Sequence, residues 1–215
     1  MRIATPGRLA NRLDKNLAWR KKELTQLKLL IDSATAANAD VLRRSGLALM
    51  YAHWEGFVKD ASSFYLNYLA NGVVEIGKLK SCFVAIALRG DIREAGQAKK
   101  ISAHTRLLDL LRSLDQPPPK TKRLPTTRVV STKSNLKGAV LREIAATLGI
   151  DYSPFELKEK PVIDRLVRLR NTIAHGGGLP VAIGDYSTLH IETIGLMDIY
   201  RDLVQDAADN QRHLR

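Results

Sequence analysis

A chain of 215 residues with 45% hydrophobic side chains is long enough to bury a core, and its single cysteine, Cys82, excludes an intramolecular disulfide. Thirty-four Lys and Arg against 22 Asp and Glu leave a formal charge of +12, which points to a polyanionic partner, nucleic acid foremost. No run approaches the roughly 18 apolar residues of a membrane span, and the start, Met1 to Arg8, has no apolar signal core, so the chain reads as cytoplasmic with no membrane partner.

Helical periodicity dominates. A first long helix is predicted from near Gly7 to about Ala36, with Leu9, Leu13, Leu17, Leu24, Leu27 and Ile31 near one face. A second runs from about Asp40 to Ala70 on a stripe of Leu47, Tyr51, Trp54, Val58, Ala61 and Tyr65, ended by Asn71-Gly72. Helical stretches follow near 77–95 and 100–114, the latter entering near Ser102. Gln116-Pro117-Pro118-Pro119 stops helix, and the polar, basic residues to Ser134 read as a loop with a short extended piece at Thr126 to Ser131. Asn135 reads as the N-cap of a helix from Leu136 to Leu148, closed by Gly149. Pro161 near a first turn opens a helix to about Ala174, ended by Gly176-Gly177-Gly178, and a last helix runs from about Tyr186 to Gln211. There is no internal repeat, and strands are few or absent. The expected architecture is all-α: one helical domain over residues 1–215, with a long N-terminal helix and a basic, Pro-containing loop insertion at 116–134.

The charge is segregated. Between Gln116 and Arg142 stand seven basic residues and no acid, and residues 2–28 carry eight basic residues against two acids. Asp185, Glu192, Asp198, Asp202, Asp206 and Asp209 face a single arginine between 185 and 209. Lys120, Lys122, Arg123, Arg128 and Lys133 are therefore candidate RNA-binding residues; the competing reading of their loop is a solvated insertion.

The chemistry concentrates in Arg170-Asn171-Thr172-Ile173-Ala174-His175-Gly176. At 100° per residue, Val162, Ile163, Leu166, Val167, Leu169, Ile173 and Ala174 share one side of their helix, and Arg170 sits among them. A permanent charge in an apolar seam is expensive unless it is paired. Asn171 and His175, four apart, share the neighbouring face. A guanidinium that grips phosphate oxygens beside a titratable imidazole suits metal-free RNA cleavage. One imidazole does not readily act as both base and acid, and a symmetric dimer would supply the second. The competing reading is structural: His175 in a last helical turn favours the helix dipole, and Gly176 is an ordinary cap. Glu55 flanks the second helix's stripe beside Ala48, Ala52 and Ser62, and is expected to pair with Arg170 or an amide of its helix. His53, His104, His190 and His213 lack metal-ligand spacing with one another or with Cys82 and read as surface or interface residues, His53 being the one expected to be buried. No metal and no cofactor is expected.

Arg170, Asn171 and His175, as Arg-Asn-x-x-x-His at a helix end, resemble the signature of HEPN domains, helical bundles named for higher eukaryotic and prokaryotic nucleotide binding. Tyr51-Ala52-His53-Trp54-Glu55-Gly56-Phe57-Val58-Lys59, Ser134-Asn135-Leu136 and Leu148-Gly149-Ile150 resemble the bacterial RiboL-PSP-HEPN branch. The likeness covers roughly residues 40 to 210. It implies a homodimer whose motif helices meet, metal-independent endoribonuclease activity, and a toxin–antitoxin or phage-defence setting with an antitoxin or defence protein as partner. By that resemblance Arg170 and His175 are catalytic, and Asn171 orients His175 or binds phosphate. Where HEPN toxins silenced by a partner nucleotidyltransferase carry a Tyr two residues after the His, this chain has Gly177. Some HEPN domains are non-catalytic scaffolds for a nucleotide, a nucleic acid or a protein, which is the alternative reading.

Overall fold

The computed structural model describes residues 3–71, 74–118 and 120–215. Gly72 and Pro119, assigned above to a helix end and a breaker, lie outside them, as does the side chain of Lys122.

Helix α1 (Pro6–Asp32) opens behind Thr5, whose hydroxyl accepts the Arg8 N–H at 3.2 Å; Pro6 takes a first-turn place where its missing N–H costs nothing. The expected stripe is inside, with Leu27 half-buried. The helix stops short of Ala36 because the Ser33 hydroxyl donates back to the carbonyls of Leu29 and Leu30. The Thr35 carbonyl then accepts the first amides of α2 (Ala36–Ala70), which begins four residues before Asp40.

The expected helix at 77–95 is broken. Strand β1 (Val74–Glu75) pairs antiparallel with β2 (Thr121–Lys122), and a 3-10 turn follows at Ile76–Lys78. Helices α3 (Ser81–Ala87) and α4 (Arg89–Gln97) are separated at Leu88, a break that lets Phe83, Ile86 and Leu88 all turn inward. Helix α5 (Ile101–Arg112) has no buried residue. The extended piece thus lies at 121–122, where a partner strand exists, and residues 127–129 bend instead.

Helix α6 (Gly138–Leu148) is capped from a distance. Asn135 is not its N-cap: the Asp164 carboxylate, far along the chain, accepts the Gly138 N–H at 2.9 Å. After α7 (Ser153–Glu156), residues Glu159–Asp164 form a π turn in which the Ile163 N–H reaches the Lys158 carbonyl. Pro161 lies inside that turn rather than at the head of α8 (Arg165–Ala174). Helix α9 (Ile183–Asp209) ends two residues before Gln211.

Helices α1, α2 and α9 pack on one another, and α8 lies along α2. Trp54 and Phe57 of α2 meet Tyr200 of α9 edge-on, at 6.3 and 6.5 Å between ring centres. Ser62, placed by the sequence on the Glu55 flank, is buried against the Tyr200 hydroxyl at 2.7 Å. Five of the six acids of α9 are internally matched: Asp185 to Arg165, Glu192 to Lys158, Asp198 to Lys21, Asp202 to Arg201 and Asp206 to Arg212; Asp209 accepts from the Gln205 amide. Such partly exposed pairs add little stability each, but together they cancel the acidic helix against neighbouring bases. Among the described residues no helix is long and apolar enough to cross a membrane.

His53 is buried as expected, but so are His190, beside Tyr186, and His213, edge-on to Phe83. Burial lowers the pKa of all three by disfavouring the charged ring; nearby Lys28 and Lys80 add to this for His190 and His213. The unfolded chain then binds more protons than the folded one below the ordinary histidine pKa of about 6.5, so stability is full above it and falls on acidification. The melting temperature is expected to be lower at pH 5.5 than at pH 7.5; equal melting temperatures at the two pH values would contradict this.

Candidate functional site

Arg170 projects from α8 toward α2, as its place in the apolar arc requires. Val162, Ile163, Leu166 and Val167 are buried, Leu169 and Ile173 half-buried, and only Ala174, at the helix end, is exposed. The Arg170 side chain keeps 24% of its surface, and its guanidinium lies over the Tyr51 ring at 4.2 Å. Its Nη2 stands 3.8 Å from Glu55 Oε2, and Glu55 is 13% exposed. Tyr51 and Glu55 are four apart on α2, so one flank of that helix offers an aromatic face and a carboxylate together. Asn171 Oδ1 accepts from Arg170 Nη1 at 2.9 Å, so in this structure Asn171 orients the arginine rather than His175.

The third wall is the end of the basic loop. Thr132 to Asn135 form a tight turn closed by Asn135 N–H to Thr132 C=O at 3.0 Å, with Lys133 and Ser134 at φ 53° and 51°. Left-handed backbone costs roughly 1–2 kcal/mol per non-glycine residue, and three contacts hold it here. The buried Thr132 hydroxyl donates to Glu55 Oε1, the Ser134 carbonyl accepts from Arg170 Nη2 at 2.8 Å, and the Tyr51 hydroxyl accepts the Leu136 N–H at 2.8 Å. Burial raises the Tyr51 pKa and the Glu55 carboxylate raises it further, against the Leu136 N–H and Arg170; Tyr51 stays a neutral phenol.

His175 caps α8. Gly176 turns left-handed at φ 79°; its N–H reaches the Ile173 carbonyl, and the Gly177 N–H reaches that of Thr172. A Cβ at Gly177 would lie 2.8 Å from the Thr172 carbonyl oxygen, so the cap itself demands glycine there. The imidazole is exposed, and no hydrogen bond ties it to Arg170 or Asn171 among the described residues. Also among them, no three His, Cys, Asp or Glu side chains converge as a metal-binding group.

The four loop cations whose side chains are described have different surroundings, and Lys122 is not among them. Lys120 reaches the Ser113 hydroxyl at the end of α5, in a cleft that also holds Asp91, Glu94 and Asp109. Arg123 is exposed beyond β2, and the Arg128 carbonyl is bonded by Arg89. Lys133, exposed at the tip of the Thr132–Asn135 turn, is brought beside Arg170 through its neighbour Ser134.

A family model described as RiboL-PSP-HEPN matches residues 15–206. The chain belongs to the RiboL-PSP-HEPN family. No curated protein and no solved structure gives a significant match. Tyr51, Glu55, Arg170, Asn171 and His175 all lie within the matched HEPN segment, as does the Thr132–Asn135 turn. Thr132 and the Ser134 carbonyl are the contributions that residue chemistry alone did not reveal; the one signal was the family likeness of Ser134-Asn135-Leu136.

The pairing makes two Glu55 variants unequal. Glu55→Gln keeps an acceptor for Thr132 and is expected to cost about 1 kcal/mol. Glu55→Ala strands both Thr132 and Arg170 and is expected to cost about 2–3 kcal/mol. Urea unfolding measures both, and equal losses would contradict the arrangement.

Proposed function

We propose that this HEPN protein is a metal-independent endoribonuclease acting as a homodimer in a toxin–antitoxin or phage-defence setting. The observation that carries the reading is the guanidinium of Arg170, held over Tyr51 by Asn171 and the Ser134 carbonyl, on the same helix that ends in the exposed ring of His175. Two of the five guanidinium donors are engaged in these hydrogen bonds. The other three make no hydrogen bond among the described residues; on this reading they bind a phosphate and offset its charge as it grows in the transition state.

The reaction starts when one imidazole takes the proton of a ribose 2′-hydroxyl. The 2′-oxygen attacks the adjoining phosphorus, and the bond to the 5′-oxygen breaks. A second, protonated imidazole gives its proton to that leaving oxygen. The products are a 2′,3′-cyclic phosphate and a 5′-hydroxyl, and no water is consumed. His175 of each protomer fills one role, which is why the reading calls for a dimer. Asn171 and Glu55 act through Arg170 by fixing its orientation, and Lys133 reaches the RNA backbone at the rim.

The non-catalytic scaffold is the second reading, and one observation favours it: Arg170 is already matched by Glu55 and Ser134 within the chain. The acidic α9 is a poor docking surface on that reading, since five of its six carboxylates are paired internally.

Incubation of mixed cellular RNA with the protein in EDTA decides between them. The parent is expected to cut and leave cyclic-phosphate ends, while folded His175→Ala and Arg170→Ala variants lose about 100-fold or more of the rate. Abolition by EDTA, or equal cutting by the His175→Ala variant, contradicts the mechanism. Light scattering is expected to give twice 23.9 kDa at micromolar concentration, and a monomer mass contradicts the dimer.

A further inference from the structure

The outer face of α1 carries a row that the candidate site does not use. Arg8, Arg12, Lys15, Trp19 and Lys22 follow a 4-3-4-3 spacing, which keeps them within about 80° of one another on a helix and spreads them over about 21 Å. All five are exposed. The apolar stripe of the same helix, from Leu9 to Ile31, faces the core.

Two of the three acids of α1 are matched by cations within the protein: Asp14 pairs with Arg201 and Asp32 with Lys28, while Glu23 lies 2.9 Å from the ring of His53, whose charged form burial disfavours. Among the described residues, Arg12, Lys15 and Lys22 take part in no ion pair, and Arg12 lies over the Phe64 ring of α2 at 5.2 Å. The four cations of the row thus outnumber the one acid of α1 that no Lys or Arg matches, Glu23, and the local charge is positive.

Trp19 is built into this row with unusual care. The indole stays 48% exposed, yet two groups fix it: the Arg20 guanidinium 4.5 Å from its ring and His53 edge-on at 5.2 Å. Arg20 is itself buried and immobilised by Asn16, Asp60 and the His53 carbonyl. It lies so close to α2 that a Cβ at Gly56 would stand 2.8 Å from Nη1. A network of buried polar bonds thus supports a half-exposed indole, where a core would call for burial and a bare surface for no tryptophan.

We infer that the α1 row is a binding track for single-stranded RNA, in which Arg12, Lys15 and Lys22 hold successive phosphates and the free face of Trp19 stacks on a base. An exposed aromatic ring between cations is the combination that unpaired strands recognise, because every base has a stacking face and duplexes hide theirs. A membrane surface does not fit, since the apolar side of α1 is already in the core. The track lies on the opposite flank of α2 from Arg170: Asn16 and Arg20 meet Asp60 and the His53 carbonyl, whereas Tyr51 and Glu55 meet Arg170. The choice of RNA as the strand rests on the ribonuclease reading, and it adds single-strandedness and an anchoring point away from the scissile bond.

The test uses a mixed-sequence 12-nucleotide 2′-O-methyl RNA, which lacks the nucleophile and is not cut. The chain has two tryptophans, and Trp54 is fully buried, so quenching on titration reports Trp19. Quenching is expected with the single strand and not with its blunt duplex. By anisotropy of a labelled oligonucleotide, Trp19→Ala is expected to weaken binding about ten-fold, while Trp19→Phe, which keeps a stacking ring, stays within about three-fold. Replacing Arg12, Lys15 and Lys22 together by Gln is expected to lower the salt slope by about 2. Circular dichroism and melting confirm that each variant folds. Binding without Trp19 quenching, or equal quenching by polyglutamate or anionic vesicles, overturns the track. Quenching by a protein that cuts no RNA keeps the track and removes the ribonuclease reading; cutting without quenching does the reverse.

Discussion

A guanidinium placed in an apolar helix seam must find partners or cost several kcal/mol, and in this protein that requirement ties three separate segments together. Arg170 leaves α8 among Leu166, Val167 and Ile173; α2 answers with the Tyr51 ring and the Glu55 carboxylate. The end of the basic loop answers with the Ser134 carbonyl. Each partner has a further anchor, Thr132 for Glu55 and the Leu136 N–H for Tyr51, so the arginine and the tight turn hold each other in place. The left-handed backbone of Lys133 and Ser134 persists because these contacts over-determine it.

The π turn before α8 belongs to the same construction. It widens the helix by one residue before the motif begins and frees Asp164 to cap α6. That cap fixes the start of α6 close behind the turn that touches Arg170. A helix start, a helix register and a loop conformation are thereby coupled. The exposed His175 stands at the other end of α8, set by the glycine cap.

Much of this was legible from spacing. The stripes of α1 and α2, the seam position of Arg170, its pairing with Glu55 and the glycine cap all follow from periodicity and the cost of a buried charge. Other features were not, because distant residues decide them. Asn135 has the chemistry of an N-cap, but Asp164 takes that place from 26 residues away in sequence. His190 and His213 look like surface residues until α9 and the chain end are packed. The loop after Pro118 reads either as an RNA-contacting arm or as a solvated insertion, and nothing local announces that its Ser134 carbonyl will meet a guanidinium. Trp19 was hidden differently: its spacing with Arg12, Lys15 and Lys22 was readable, but the Arg20 network beneath it was not.

Arg170 and Glu55 are energetically joined in fixing the site. A double-mutant cycle with Arg170→Lys and Glu55→Gln, read by urea unfolding, tests it directly. A coupling of about 1 kcal/mol or more is expected, because a lysine cannot reproduce the fork that spans Glu55, Asn171 and Ser134. Additive losses, with no coupling, would mean that the two side chains stand near each other without holding each other.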